Sequence, residues 1–173
     1  MIDVIFKGHQ SFGKSLAGLN SQIEKKVQQA LNRTFQRSRT QMTNAVGEKL
    51  NIRKKTIREL MSIQRATKIT GLIGKLILRN KPVPLIEYNA KPNRKGVSFK
   101  VFKDRTRQLI KHAFITSDVR KRETVFKREG AARLKIKPLY GTRVTDVAGD
   151  RLHNVGQIAS RFFNNEVQRV FGI

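Results

Sequence analysis

Residues 8–15, GHQSFGKS, have the types and spacing of a known piece of catalytic chemistry. They satisfy the phosphate-loop formula of a glycine, four residues, Gly-Lys and a Ser or Thr, and they follow an alternating segment and precede a helical one. In such a loop, backbone amides wrap a phosphate, the lysine reaches the terminal phosphates and the hydroxyl holds magnesium. Taken alone, this motif predicts a nucleotide-binding enzyme.

The rest of the chain does not supply the second half of such a nucleotide site. A phosphate-loop enzyme needs a continuously apolar strand that ends in Asp, whereas Asp104 follows residues 97–102, in which apolar and polar residues alternate. Phe12, Leu16 and Leu19 also continue a helical period across the motif. We therefore favour an amphipathic lead-in helix for this segment, with the phosphate-loop enzyme kept as a third hypothesis.

Metal chemistry and acid–base catalysis have no matching constellation in the sequence. His9, His112 and His153 lie far apart, and none has a second histidine or a carboxylate at metal-ligand spacing. No pair of carboxylates shares one predicted element with a nucleophile. We therefore predict that the protein is not an enzyme and has no catalytic residues, no metal site and no cofactor.

Charge is the strongest compositional signal. The 173 residues include 37 Lys and Arg against 12 Asp and Glu, a formal net charge of +25, so self-repulsion disfavours an isolated monomer unless an anion lies nearby. That anion is nucleic acid, an acidic protein surface or a membrane. The apolar run 72–78 is too short and too interrupted to span a bilayer, and we expect no membrane partner. Asp3 interrupts any signal-peptide pattern. The absence of cysteine excludes disulfides and fits a reducing compartment such as the bacterial cytoplasm.

Hydrophobic periodicity predicts one long helix over residues 21–50. Its apolar residues recur at steps of three and four and so fall on one face. Ser21 followed by Glu24 fits a capping box at its start. About thirty residues would span roughly 45 Å, which is longer than a small domain needs. We therefore expect this helix to reach a neighbouring subunit.

The remaining elements are shorter or lie at the C-terminus. A short basic helix is predicted to begin near Arg53, and Asp146 is the predicted cap of a C-terminal helix over residues 146–171. Between these helices the pattern changes to period two, which favours strands. Strands are predicted at residues 61–66, 72–78, 85–88, 97–102, 109–115 and 134–141, with a further strand at 125–126 and an edge strand at 1–7.

This order of elements predicts the α+β class, with the long N-terminal helix and the C-terminal helix packed on one face of an antiparallel β-sheet. One domain of residues 1–173 is expected. Its parts are the edge strand and lead-in helix (1–20), the long and short basic helices (21–60), the antiparallel sheet with basic loops (61–140) and the C-terminal helix (146–171).

Three basic groups are candidate contacts with DNA or with an acidic partner. No aromatic platform interleaves them, so we expect contact with the phosphate backbone without readout of base sequence. A solvated face is an equally weighted alternative for the first group. The candidates are Arg53, Lys54, Lys55 and Arg58, then Lys91, Arg94 and Lys95, and then Arg120, Lys121 and Arg122.

Residues 30–34 (ALNRT) and 50–59 (LNIRKKTIRE) resemble the prophage minor tail protein Z family. The layout is similar too, because residues 6–8 (FKG), 113–115 (AFI) and 134–139 occupy the matching places. The resemblance extends over roughly residues 5 to 150, and the C-terminal helix matches in position alone. It places the segment 8–15 in the amphipathic lead-in.

The resemblance implies a structural virion protein, a minor tail or tail completion protein at the head-proximal end of a long phage tail. It implies a fold similar to the small α+β proteins that form rings at the head–tail junction, and assembly in the host cytoplasm before incorporation into the virion. Expected partners are further copies of itself in a closed ring, a hexamer by analogy with tail tubes, together with other tail and neck proteins and double-stranded DNA. The alternative from another class is a free protein that binds nucleic acid independently of sequence.

Overall fold

The computed structural model describes residues 2–4, 21–67, 72–117, 122–130 and 135–171. It contains helices and antiparallel strands, which confirms the predicted α+β class. The helices are α1 (Ser21–Lys49), α2 (Lys54–Glu59) and α3 (Val144–Phe171), with a 3-10 helix at Leu85–Tyr88. The strands are β1 (Ile2–Val4), β2 (Met61–Gln64), β3 (Lys75–Leu78), β4 (Lys91–Asn93), β5 (Gly96–Phe99), β6 (Gln108–Lys111), β7 (Ala113–Ser117), β8 (Glu123–Arg128) and β9 (Ile136–Pro138).

Helix α1 packs along α3, and this is the largest contact between two elements of the described chain. The buried residues of α1 recur at helical spacing and include Val27, Leu31 and Phe35, which share one hydrophobic core with Phe163 of α3. Burying each such side chain stabilises the fold by roughly 1.5–3 kcal/mol. This gain offsets the cost of about 1 kcal/mol that Gly149 adds within α3 relative to alanine.

The pairing of the two long helices differs from the predicted arrangement, in which both lie on one face of a sheet. The apolar stripe of α1 extends along a helix of 29 residues, and strands of three to six residues are too short to cover it. With 28 residues, α3 has the matching length. It begins at Val144, ahead of the predicted cap Asp146, whose carboxylate lies in the first turn and complements the positive end of the helix dipole.

Among the described residues, the strands form three three-stranded antiparallel sheets, in the orders β1-β3-β2, β4-β5-β6 and β7-β8-β9, instead of the single sheet predicted. The predicted edge strand is confirmed, with Ile2 of β1 opposite Leu78 of β3. The predicted strand 109–115 is divided at His112, whose φ of 60° separates β6 from β7. A non-glycine residue in this left-handed conformation turns the chain out of a ladder, so the two halves enter different sheets.

The prediction of a strand at residues 85–88 is wrong, because Leu85–Tyr88 forms a 3-10 helix. Leu85 and Tyr88 are both buried. Residues three apart eclipse on a 3-10 helix, so one turn buries both large side chains on the same side. The helix ends at Asn89, which has a left-handed φ of 53°.

Tyr88 fixes this 3-10 helix next to the start of α3. Its hydroxyl donates a hydrogen bond to the carbonyl of Thr142, and Gly141 leaves no room for a Cβ beside the ring. Burial raises the pKa of Tyr88 above its usual value, and the carboxylate of Asp146 raises it further. The phenol therefore remains protonated, and a donor, throughout the physiological pH range.

Gly74 allows the segment that enters β3 to approach α1 closely. A Cβ at Gly74 would lie 2.2 Å from Cε2 of Phe35. The following strand then buries Leu76 and Leu78, while its partner β2 buries Met61. A residue without a side chain is therefore required where this sheet meets the long helix.

Candidate polyanion interface

The first basic group lies on α2 and its N-cap residue, Arg53, and this helix is oriented by one apolar anchor. Ile57 is fully buried, near Gly47 of α1, and fixes which face of this six-residue helix is covered. The four cationic candidates are exposed on the remaining surface. They are Arg53, Lys54, Lys55 and Arg58.

Two of these four side chains have partners within the molecule. Arg53 donates to both carboxylate oxygens of Glu87, with its Nη2 2.9 Å from Oε1 and its Nε 3.3 Å from Oε2, and the hydroxyl of Thr56 donates to the same carboxylate at 2.7 Å. The Arg53 side chain is still 75% exposed, so this pair contributes at most about 1 kcal/mol. Lys54 donates to Oδ1 of Asn44 at 2.9 Å.

The side chains of Lys55 and Arg58 have no partner among the described residues, so they are the available cations of this group. Glu87, which neutralises Arg53, belongs to the 3-10 helix and is distant in sequence. The sequence alone gives no sign of this compensation.

The second basic group lies on the sheet β4-β5-β6. Lys91, Arg94 and Lys95 are exposed around the turn between β4 and β5. Residues 91–111 together hold eight Lys and Arg and one acidic residue, Asp104. Residues 91–93, which lie between the predicted strands 85–88 and 97–102, therefore belong to a hydrogen-bonded, strongly basic sheet.

This sheet is held by tight backbone contacts. The side chains of Val97 and Phe99, both on β5, are buried. Gly96 has φ of 149° and lies so close to the carbonyl of Ile110 that a Cβ would be 2.0 Å from that oxygen. The guanidinium of Arg107 donates to the carbonyl of Asn89 at 2.8 Å and to that of Ser98 at 3.1 Å, so this exposed arginine also ties the strands together.

The segments that carry the two groups adjoin. The N–H of Asn51 donates to the carbonyl of Val101 at 2.8 Å, and the N–H of Lys103 donates to the carbonyl of Lys49 at 2.9 Å. The amide of Asn51 also donates to the carbonyl of Lys100 at 3.2 Å. These bonds attach the end of α1, just before α2, to the chain that leaves β5.

Of the third group, Arg120 and Lys121 lie outside the described residues, and Arg122 is exposed ahead of β8. Arg122 and Glu87 line the same cavity, of about 270 Å³. The fold thus brings Arg122 near the acid that Arg53 binds, which joins the first and third groups at one place.

A further set of basic side chains, which is not among the sequence-based candidates, surrounds a cavity of about 640 Å³ between α1 and α3. Arg33 and Arg37 lie four residues apart on α1, and Glu166 and Arg169 lie three apart on α3. These spacings put each pair on one helix face. The sequence does not show that the two faces meet.

Among the described residues there is no cluster of three or more His, Cys, Asp or Glu that could hold a metal ion, and no helix that is long and apolar enough to cross a membrane. His112 is exposed, whereas His9, the side chain of His153 and the motif 8–15 lie outside what the structure describes. Comparison of the chain with protein-family models, with curated proteins and with solved structures found no match.

Proposed function

We propose that this chain is a structural virion protein, a minor tail or completion protein at the head-proximal end of a long phage tail, which contacts double-stranded DNA or acidic neighbours through its basic surfaces. The observation that carries the contact is the basic sheet β4-β5-β6, with eight cations and one acid in residues 91–111. The place in a tail rests on the resemblance of residues 30–34 and 50–59 to the tail protein family.

The geometry supports sequence-independent contact. The segment 91–111 contains two aromatic residues, Phe99 and Phe102. Phe99 is buried, and the guanidinium of Arg105 lies 4.6 Å from the ring centre of Phe102, so neither ring is left as a platform for bases. Contacts of lysine and arginine with phosphate oxygens position a protein on DNA and carry no sequence information directly.

The ring is proposed on the grounds of symmetry, because closed cyclic assemblies are the usual result of self-association. The length of α1 no longer supports it, since α3 covers that helix within one chain. A hexamer in which the basic sheets face inward would line a passage with positive charge and neutralise the phosphates of entering DNA.

Binding to two duplexes of unrelated sequence, measured by fluorescence anisotropy between 50 and 200 mM salt, tests the contact. Six to ten phosphate contacts would weaken the affinity on the order of a thousandfold or more over this range. Replacing Lys91, Arg94 and Lys95 together by Gln should lower the slope of log affinity against log salt by up to about 2.7, since each lost contact contributes about 0.9. The matched control removes three exposed charges elsewhere, at Lys25, Lys135 and Arg161.

Equal effects of the two triple variants would contradict a role for the sheet, and an affinity that is independent of salt would contradict phosphate contact altogether. The free nucleic-acid-binding protein, our second candidate, is supported by the same exposed cations and shares this salt response. Detection of the chain in purified phage particles, at several copies per tail, separates the two.

The completion role predicts a specific defect in a phage that lacks this protein. Its tails should have normal length and remain able to join to heads, but the particles should fail to deliver their genome. Unchanged infectivity, or arrest of tail-tube polymerisation at an early stage, would exclude a completion role. For the third hypothesis, binding of ATP or GTP with magnesium that Lys14→Ala abolishes would identify the motif 8–15 as a nucleotide site.

A further inference from the structure

The cavity between α1 and α3 is built around one buried carboxylate. Glu166 is only 3% exposed, and three guanidinium groups reach it. Nη2 of Arg37 lies 3.2 Å from Oε1, while Nη1 of Arg33 and Nη2 of Arg169 lie 3.4 and 2.9 Å from Oε2. A buried carboxylate needs a cationic partner, but one arginine would be enough.

The cationic side chains are in excess over this carboxylate. Arg65, from the chain that follows β2, lines the same cavity. Four guanidinium groups against one carboxylate leave a formal surplus of three positive charges around about 640 Å³. Like charges that line one cavity repel each other, so an anion that enters the cavity reduces this repulsion.

Hydrogen-bond donors are also in excess. Each guanidinium carries five N–H donors, whereas the hydrogen bonds to Glu166 use one donor of Arg33 and two of Arg169, and Arg37 contacts the carboxylate as an ion pair. The side chains of Arg33, Arg37 and Arg169 are half-exposed or more. Their remaining donors are therefore accessible to a ligand in the cavity.

The walls of the cavity are held in place by contacts of their own. The guanidinium of Arg37 lies 5.4 Å from the ring centre of Phe162, in addition to its bond to Glu166. The side chain of Asn32 bonds to both backbone groups of Ala66, accepting from its N–H at 2.9 Å and donating to its carbonyl at 3.2 Å. This pair of bonds fixes the backbone next to Arg65, so the fourth arginine is carried by an ordered segment.

We infer that this cavity is an oxyanion site that binds a phosphate group, with Arg33, Arg37, Arg65 and Arg169 as donors around Glu166. Arginine forks bind carboxylates and phosphates in two-point geometry. A phosphate monoester, which carries nearly two negative charges at neutral pH, compensates more of the surplus than a single carboxylate does.

The phosphate can belong to a small molecule or to the end of a nucleic acid, and the probes distinguish these sources. Titration calorimetry at fixed ionic strength uses inorganic phosphate, a nucleoside monophosphate, and a trinucleotide with either a 5′-phosphate or a 5′-hydroxyl. Saturable binding of a phosphate probe at one site supports the inference, and preference for the phosphorylated trinucleotide identifies a nucleic-acid end as the source. The melting temperature should rise with the concentration of the probe that binds.

Arg65→Gln is the decisive variant, because Arg65 lines the cavity but is not among the ion-pair partners of Glu166 in the described chain. It should weaken phosphate binding about tenfold, as expected for the loss of one charge-assisted bond. Arg161→Gln, on α3 and outside the cavity lining, is the matched control and should leave phosphate affinity unchanged.

The Gln variant at Lys91, Arg94 and Lys95 separates this site from the basic sheet, since it should lose affinity for DNA and retain phosphate binding. The inference is overturned if no phosphate probe binds at millimolar concentration, or if Arg65→Gln and Arg161→Gln bind phosphate equally well. It is also overturned if an acidic peptide binds at Arg65 while the phosphate probes do not, which would assign the cavity to a protein partner.

Discussion

Arg39 connects three elements, and its replacement by alanine should destabilise the fold in the region of the basic helix α2. Its Nη2 donates to the carbonyl of Arg58 at the end of α2, at 2.7 Å, and to the carbonyl of Met61 at the start of β2, at 3.3 Å. A cation at the C-terminal end of a helix also complements the negative end of its dipole. The variant leaves α2, with its exposed charges, held mainly by Ile57.

The expected magnitude follows from these contacts. A hydrogen bond from a charged donor contributes about 1.5–3 kcal/mol, and the bond at 3.3 Å is the weaker of the two. Two features limit the loss: the carbonyl of Arg58 also accepts from the N–H of Leu60, and Nε of Arg39 is buried without a partner in the described part of the chain. We therefore expect Arg39→Ala to lower the free energy of unfolding by about 2 kcal/mol.

Urea denaturation followed by circular dichroism measures this change, with Gln41→Ala, an exposed neighbour on α1, as the control. For a chain of this size, 2 kcal/mol corresponds to a fall in melting temperature of about 4–8 °C. Arg39→Ala should also weaken DNA binding through α2, while the control changes neither property. A change below about 0.5 kcal/mol, the usual range of surface substitutions, would show that Arg39 does not hold these elements together.

Two further predictions concern Gly74 and Tyr88. Gly74→Ala places a methyl group against Phe35 and should lower the free energy of unfolding, measured by urea denaturation, by about 1–3 kcal/mol. Gly149→Ala has open space around it and should raise the free energy of unfolding by about 0.5–1 kcal/mol. An equal response of the two variants would refute the close approach of β3 to α1. Because the folded-state pKa of Tyr88 is raised, its contribution to stability is complete below the unfolded pKa of about 10 and is lost as pH rises further. Unfolding measured between pH 8 and about 11 should show this loss, and Tyr88→Phe should remove it; an unchanged profile in the variant would assign the pH dependence to other groups.

The sequence predicts the long helices well because their determinants are local. The period of Val27, Leu31 and Phe35 places α1 at Ser21–Lys49, within one residue of the predicted bounds, and α2 begins near Arg53 as expected. Strand boundaries are less well predicted, since an apolar run such as 85–88 has no clear period and its conformation is decided by what it packs against.

In the candidate site, too, features with local determinants are predictable and pairings between distant residues are not. Charge and the absence of apolar neighbours predict that Lys91, Arg94 and Lys95 are exposed, and the structure places them so. Arg53 and Glu87, which form an ion pair, are 34 positions apart in the sequence. Arg33 and Glu166, which also form one, are 133 positions apart. Nothing in local spacing encodes such pairs, so the cavity between α1 and α3 emerges only from the folded chain.

The pairing of α1 with α3 has a consequence for how the protein is made. The apolar face of α1 is covered by a helix from the other end of the chain, and more than ninety residues must be synthesised between Lys49 and Val144. At about 5–20 residues per second, the side of α1 that packs on α3 stays uncovered for on the order of 5–20 s after it is translated. During that time a highly cationic nascent chain lies beside ribosomal RNA with its hydrophobic stripe exposed, which makes it a natural substrate for chaperones. A chain that terminates before α3 leaves the α3-facing part of this stripe uncovered and is a target for proteolysis or aggregation.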